Sequence, residues 1–286
     1  IAISSLAYNQ NSIQNTVNNI LKNNSLKNAS FSFRVIDIEK DSVLAEHNPV
    51  TSLVPASTMK LVTTAAAIDV LGSYKTFKTI VQYDGYIDSN CTLHGNIYIK
   101  GGGDPTLGSK YFLNPGEEAT DFMNKWVHEI ENLGIHAING GVIGDASYFS
   151  QDMIPATWVW GDLGNYYGAG PSGLTIYDNL STLTFSSKNQ NGGSTTVECI
   201  TPFNPEVSIE NEVTAANINS DNAYLFSAPY VGNKKAIGQI PKGREGFNVK
   251  GTIHDPAYQA AYDFEYFLLK NVISVTKNAT TNRRIN

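Results

Sequence analysis

Ser57 and Lys60 place a hydroxyl and an amine three residues apart. The stretch 57–71 is rich in alanine and apolar residues and is followed by Gly72, which predicts a helix with Ser57 in its first turn. Because positions three apart share a helix face, we expect the Lys60 amine to lie beside the Ser57 hydroxyl. A serine next to a base, at a helix start whose free N–H groups can bind an oxyanion, is the layout of an activated nucleophile.

The chemistry sets a condition on Lys60. A lysine amine in water is protonated at neutral pH, so Lys60 acts as a base only if burial and neighbouring cations favour its neutral form. The apolar character of the helix predicts that burial. The alternative is a structural helix with a serine cap and a lysine whose charged end reaches solvent. Ser-x-x-Lys alone does not distinguish the two.

Five segments together resemble one family. They are PASTMKLVTTAAA at 55–67, NIYIKGGGDPTL at 96–107, GGVIGDASYF at 140–149, YGAGPSGLTIYDN at 167–179 and VKGTIHDPA at 249–257. In this order they are similar to the DacB-type D-alanyl-D-alanine carboxypeptidases/endopeptidases, the class C low-molecular-weight penicillin-binding proteins. The resemblance extends over about residues 31–269.

The resemblance implies a serine D,D-peptidase. Ser57 would attack the D-Ala-D-Ala bond, or a D,D-crosslink, of peptidoglycan stem peptides, and Lys60 would be the general base. Water would then hydrolyse the acyl-enzyme, and β-lactam antibiotics would acylate the same serine. No cofactor or metal is implied.

Asp145 is a candidate substrate-binding residue, again by resemblance. In the family the corresponding aspartate lies on an inserted domain, faces the cleft and pairs with the amino group of a diaminopimelate side chain. The alternative is a strand-end aspartate that caps a turn. Trp158, Trp160 and Tyr167 are candidates for lining the same cleft, although aromatic packing within the insertion is the favoured interpretation.

Enzymes of this class need two further elements, a Ser-x-Asn and a Lys-Thr-Gly. In the family both follow the helix that begins after Asp255, and this sequence contains no Lys-Thr-Gly. Ser-x-Asn is matched by the segment 220–222, but a polar turn before a strand explains that segment equally well. We therefore expect a missing C-terminal portion beyond Asn286, or a second polypeptide that supplies it. The alternative is a truncated, non-catalytic peptidoglycan-binding fragment, and a β-lactamase or esterase is disfavoured by the long insertion.

Three other patterns in the sequence give weak or no support for a functional site. His128 begins a His-Glu pair, but the position four residues later is Asn132, so no two-histidine zinc face forms. The glycine run at 101–105 is followed by no Gly-Lys-Ser/Thr and is interpreted as a turn rather than a phosphate loop. Cys91 and Cys199 either form a disulfide or remain two isolated buried thiols, and their spacing does not decide between these.

Composition excludes some partners and suggests a location. The 286 residues carry 20 Lys and Arg against 26 Asp and Glu, a net charge of −6 with no basic run, which argues against nucleic acid. Residues 1–7, IAISSLA, resemble the tail of a signal peptide, the alternative being a disordered apolar start. We therefore expect a periplasmic or otherwise extracytoplasmic protein.

Periodicity predicts an α+β fold. We expect helices at 12–21, 57–71, 119–133 and 257–270, and strands at 32–38, 43–46, 77–83, 93–100, 141–145 and repeatedly over 183–247. The Ser57 helix is expected to pack behind the first hairpin. By resemblance the fold is a partial transpeptidase domain, like that of penicillin-binding proteins and serine β-lactamases, interrupted by a large, mostly β insertion. The implied division is a signal remnant at 1–7, a first catalytic segment at 8–76, the insertion at 77–248 and a return to the catalytic domain, incomplete, at 249–286.

Overall fold

The computed structural model describes residues 10–285, so the proposed signal remnant at 1–7 lies outside the described residues. The chain divides into two compact units, one ending at Lys75 and the other beginning at Thr76. No helix among the described residues is long and apolar enough to cross a membrane.

Between residues 10 and 75 the first unit holds two α-helices and one hairpin. Its elements are α1 (Gln10–Leu21), β1 (Phe33–Asp37), β2 (Ser42–His47) and α2 (Met59–Leu71), with a 3-10 turn at Ala56–Thr58 immediately before α2. Strands β1 and β2 pair antiparallel, as their alternating pattern predicts. Among residues 12–75, Val17 of α1 and Ala45 of β2 are the buried apolar residues, so the core in this described part of the unit is small.

Helix α2 is exposed along its whole length. The prediction that it packs behind the hairpin is wrong for this chain, because none of its residues is buried. Leu61 is 75% exposed and Val70 is 79% exposed, although both are apolar. The helix ends where the sequence predicts, at Gly72, whose φ of 79° suits a residue without a side chain.

The second unit contains the remaining elements. Its strands are β3 (Ile80–Tyr83), β4 (Tyr86–Ile87), β5 (Thr92–His94), β6 (Ile97–Lys100), β7 (Ala137–Ile138), β8 (Val142–Asp145), β9 (Leu180–Ser187), β10 (Thr195–Thr201), β11 (Ser208–Ala216), β12 (Asn222–Phe226), β13 (Asn233–Pro241), β14 (Phe247–Thr252), β15 (Ser274–Val275) and β16 (Thr280–Thr281). Its helices are α3 (Asp121–Asn132), α4 (Pro256–Lys270) and α5 (Asn282–Ile285).

One half of this unit, residues 76–179 and 253–285, is an α/β lobe. Its two four-stranded sheets have the orders β16-β8-β6-β3 and β15-β7-β5-β4. Helices α3 and α4 contribute apolar side chains such as Met123 and Phe264 to the buried core that these sheets share. Helix α4 begins as predicted, since the Asp255 carboxylate accepts a hydrogen bond from the Tyr258 N–H and Pro256 occupies the first turn.

The predicted strand at 93–100 is in fact two strands. β5 and β6 belong to different sheets, and the chain turns between them at Gly95 and Asn96. A side chain at Gly95 would lie 2.1 Å from the carbonyl oxygen of Asp84, so only glycine fits there. The Asn96 N–H donates to the Asp84 carboxylate at 2.5 Å, which fixes this break.

The other half, residues 180–252, is a β lobe. Two three-stranded sheets, β10-β9-β14 and β11-β13-β12, enclose a second core that includes Phe185, Val213 and Leu225. The strand-rich character predicted for 183–247 is therefore confirmed.

Residues 249–285 pack entirely within the second unit. Strand β14 pairs with β9, and α4 lies against β8 and β16. The assignment of this segment to a catalytic domain, separate from an insertion at 77–248, stays a prediction based on resemblance. In this chain the two segments share one core.

Candidate active site

Ser57 and Lys60 lie in the first unit, in contact with each other. Ser57 lies in the 3-10 turn and Lys60 is the second residue of α2. The Lys60 Nζ donates a hydrogen bond to the Ser57 Oγ at 3.0 Å. The predicted juxtaposition of hydroxyl and amine is present because both residues follow one continuous helical path.

The backbone before the serine is strained. Ala56 has a φ of 45°, in the left-handed region that residues with a side chain rarely adopt. Such a conformation costs on the order of 1–2 kcal/mol and is concentrated at functional sites. The Thr58 N–H donates to the Pro55 carbonyl at 3.1 Å, which closes the turn around Ser57.

The expected burial of Lys60 is absent. Ser57 and Lys60 are both exposed, as is every residue from 48 to 78. The sequence prediction that the apolar helix desolvates the amine is therefore wrong for this chain, because no residue of α2 is buried. The geometry brings the base to the nucleophile, and the desolvation that would favour a neutral amine is not supplied here.

Asp145 lies in the second unit, at the end of β8. Its Oδ1 accepts hydrogen bonds from the Ser147 N–H at 2.9 Å and from the Asn282 Nδ2 at 2.8 Å. These contacts are those of a strand-end aspartate that caps a turn, and the second also holds α5 against β8. The side chain is half-buried, and its role in substrate binding stays a prediction.

The aromatic candidates are exposed rather than packed in a core. Trp158 is 39% and Trp160 is 60% exposed. The Trp160 ring lies 6.5 Å from that of Phe226 on β12, and Tyr167 meets Tyr166 edge-on at 5.2 Å. They form a surface group on the second unit.

Sequence reasoning missed a buried charged cluster in the second unit. Lys234 is 1% exposed, its Nζ donates to the Thr252 carbonyl, and burial lowers its pKa to about 8. His254 is also buried, and burial, together with the charge of Lys234, lowers its pKa. The sequence offered one signal for this cluster, the His254-Asp255 pair in the motif at 249–257. That pair does not indicate that either side chain is buried.

Two arginines near the end of the chain close this cluster. Arg283 donates to the buried Asp255 carboxylate at 2.8 Å. Arg284 binds both carboxylate oxygens of Glu206 at 2.5 and 2.7 Å, and this pairing lowers the pKa of Glu206. Since Glu206 follows β10, Arg284 connects α5 to the β lobe.

The remaining sequence candidates lie in turns or are free thiols. At 220–222, Asp221 accepts from the Ala223 N–H in a polar turn that leads into β12. Asp104 similarly accepts from the Thr106 N–H in the turn after β6. Cys91 and Cys199 are free thiols, and Cys199 is exposed, so the two are neither paired nor both buried. Between residues 10 and 285 no group of three His, Cys, Asp or Glu side chains is placed to bind a metal.

The fold is that of solved penicillin-binding proteins. The crystal structure of penicillin binding protein 4 (dacB) from Haemophilus influenzae matches 87% of this chain and 52% of its own, with a TM-score of 0.68 and 22% identity. The same protein complexed with a novel β-lactam matches with a TM-score of 0.63 and 20% identity. At these identities the similarity establishes the fold alone, and the predicted fold class is confirmed.

The sequence comparisons establish the family. The family model for D-Ala-D-Ala carboxypeptidase 3 (S13) matches residues 13–284, and the chain belongs to this family. A D-alanyl-D-alanine carboxypeptidase of Actinomadura sp. (strain R39) is 25% identical over 269 residues, 92% of this chain. D-alanyl-D-alanine carboxypeptidase DacB of Haemophilus influenzae is 29% identical over 153 residues, 53% of this chain. The chain spans 48% of the first relative's length and 29% of the second's.

Proposed function

We propose that this chain carries the nucleophile and the general base of a serine D,D-peptidase that cleaves D-Ala-D-Ala bonds in peptidoglycan stem peptides. The observation that carries the proposal is the 3.0 Å hydrogen bond between Lys60 Nζ and Ser57 Oγ, in a chain that belongs to the D-Ala-D-Ala carboxypeptidase 3 family. The strained backbone at Ala56 supports it, because strain of this kind accumulates at reactive positions.

The residues take distinct roles in the reaction. The general-base role requires Lys60 in its neutral form, which takes the proton of the Ser57 hydroxyl while Oγ attacks the carbonyl of the penultimate D-Ala. The C–N bond to the last D-Ala breaks, and its nitrogen receives that proton from Lys60. Water, deprotonated in the same way, then hydrolyses the ester on Ser57 and regenerates the hydroxyl.

The proposal extends to the inhibitors and the place of action. A strained β-lactam amide presents a carbonyl to the same Ser57 Oγ, so we propose that penicillins acylate it. Because the polymer substrate is part of the cell wall, we propose an extracytoplasmic, and in a two-membrane cell periplasmic, location. Asp145 is proposed to pair with an amino group on the stem peptide.

Intact mass spectrometry after incubation with a fluorescent penicillin tests the proposal. We expect one covalent adduct per chain, absent in Ser57→Ala and retained in Ser52→Ala, an exposed serine of the same unit. Lys60→Met is expected to slow acylation by about a hundredfold or more, the usual contribution of a positioned base.

The same measurement distinguishes the peptidase from the alternative, a non-catalytic peptidoglycan-binding fragment. An adduct that persists in Ser57→Ala would refute the assignment of the nucleophile. No adduct on the 286-residue chain, together with its retention on cell-wall sacculi, would instead support the non-catalytic peptidoglycan-binding fragment.

A further inference from the structure

A large cavity lies where the two lobes of the second unit meet. Its volume is about 750 Å³, within the range of small-molecule sites. Helix α4 forms one wall, the start of β9 and the end of β10 form another, and the segment before α3 closes the rim. All the lining residues belong to the second unit, and neither Ser57 nor Lys60 is among them.

Aromatic side chains form most of the wall. They are Tyr177, Phe203, Tyr262, Tyr266 and Phe267. Phe203 and Tyr262 lie 6.2 Å apart between ring centroids and come from opposite lobes. Phe203 is 62% and Tyr266 is 58% exposed, which is unusual for large aromatic groups beside a cavity. An aromatic ring carries partial negative charge on its face, so a cavity lined by several rings can attract a cation.

Two carboxylates face the same space. Asp178 and Asp263 line the cavity, and neither forms a salt bridge with a Lys, Arg or His among residues 10–285. Asp263 accepts a hydrogen bond from the Gln259 Nε2 at 2.8 Å. Burial raises the pKa of Asp263 to about 6, a sign that it lacks a compensating positive charge.

Neither of the two nearby lysines forms a salt bridge with these carboxylates. Lys110 lines the rim, but its Nζ lies 5.6 Å from the Tyr111 ring centroid. The Lys270 Nζ lies 5.6 Å from the centroid of Phe267. A cavity lined by aromatic rings and by carboxylates without a salt-bridge partner suits a positively charged occupant.

We propose that this cavity binds a small organic cation, a protonated amine on an apolar or aromatic body. Asp263 is the counter-ion, and the rings of Tyr262, Tyr266 and Phe203 cover the apolar body and the faces of the ammonium group. The residues that line the site all belong to the second unit.

Benzylammonium and benzyl alcohol are the matched probes, because they share the ring and differ in charge. We would titrate each into the ¹⁵N-labelled chain at pH 7.5 and follow the amide signals of α4 and of residues 177–182. We expect saturable shifts with benzylammonium and affinity at least tenfold weaker for benzyl alcohol, since a charge-assisted hydrogen bond accounts for about 1.5–3 kcal/mol.

Three variants locate the charge. Asp263→Asn is expected to weaken benzylammonium binding about tenfold or more, while Glu245→Gln, which removes the same charge at an exposed position, leaves it unchanged. Tyr266→Ala should weaken binding about two- to fivefold, the contribution of one exposed cation–π contact. Because Tyr266 is largely exposed, this variant tests the cavity without disturbing the core.

Several results would overturn the proposal. Equal affinity for the alcohol and the ammonium would make the cavity a neutral apolar site. Unchanged affinity in both Asp263→Asn and Tyr266→Ala would place any binding elsewhere on the chain. An absence of saturable shifts up to 20 mM benzylammonium, about the weakest binding such a titration resolves, would mean that the cavity takes no organic cation.

Discussion

Replacing Asp263 with Asn should stabilise the second unit in a way that depends on pH. The carboxyl is largely buried in α4, between the aromatic wall of the cavity and Gln259. Burial raises its pKa to about 6, against an ordinary value of 3.8. An asparagine keeps an oxygen for the Gln259 amide and carries no charge to desolvate.

The magnitude follows from these two pKa values. In the unfolded chain the carboxyl ionises near pH 3.8, whereas in the folded chain it holds its proton up to about pH 6. Between these values the folded state binds more protons, so the wild type loses stability as pH rises. At 1.36 kcal/mol per pH unit the full loss is about 3 kcal/mol, reached above about pH 7. The Asp263→Asn variant does not lose this free energy of unfolding, because asparagine does not ionise.

Urea unfolding followed by tryptophan fluorescence measures the effect. All three tryptophans lie in the second unit, and Trp126 contacts Phe264, beside Asp263, at 5.5 Å between ring centroids. We expect the difference in free energy of unfolding between Asp263→Asn and wild type to grow by about 3 kcal/mol from pH 3.5 to pH 7.5. A difference that stays constant over this range would refute the inferred burial of an unpaired carboxyl.

Two further substitutions test the charged cluster of the second unit. Lys234→Met should raise the free energy of unfolding by about 3 kcal/mol below pH 8, because burial lowers the lysine pKa from 10.5 to about 8 and the folded chain must then hold a buried charge. The gain should vanish by about pH 10.5, and equal gains at pH 7 and pH 10.5 would contradict this reasoning. Arg284→Ala should lower the free energy of unfolding by about 1–2 kcal/mol, because it removes the bidentate contact with Glu206. The same urea assay checks the Arg284→Ala prediction. An unchanged midpoint of urea unfolding would show that the contact with Glu206 contributes nothing to stability.

The local features of the fold could be predicted from sequence. Asp255 and Pro256 define the start of α4, and Gly72 defines the end of α2, because capping depends on residues adjacent in the chain. The contact between Ser57 and Lys60 has the same origin, since a spacing of three residues on a helical path fixes the distance. The prediction of a single strand at 93–100 is partly wrong, because its two halves pair with strands of different sheets.

Burial and charge were decided only by the tertiary structure. The sequence suggested that Lys60 is buried and gave no sign that Lys234 is buried. In the structure Lys60 is exposed and Lys234 is buried. The cavity around Asp263 joins residues from 108 to 267, which no local pattern relates. The sequence by itself determined the four longer helices, the strand-rich character of 183–247 and the Ser57–Lys60 pair, whose geometry is set over one helical turn. Solvent access and the environment of each charge depend on which distant segments pack together, so only the folded chain determined them.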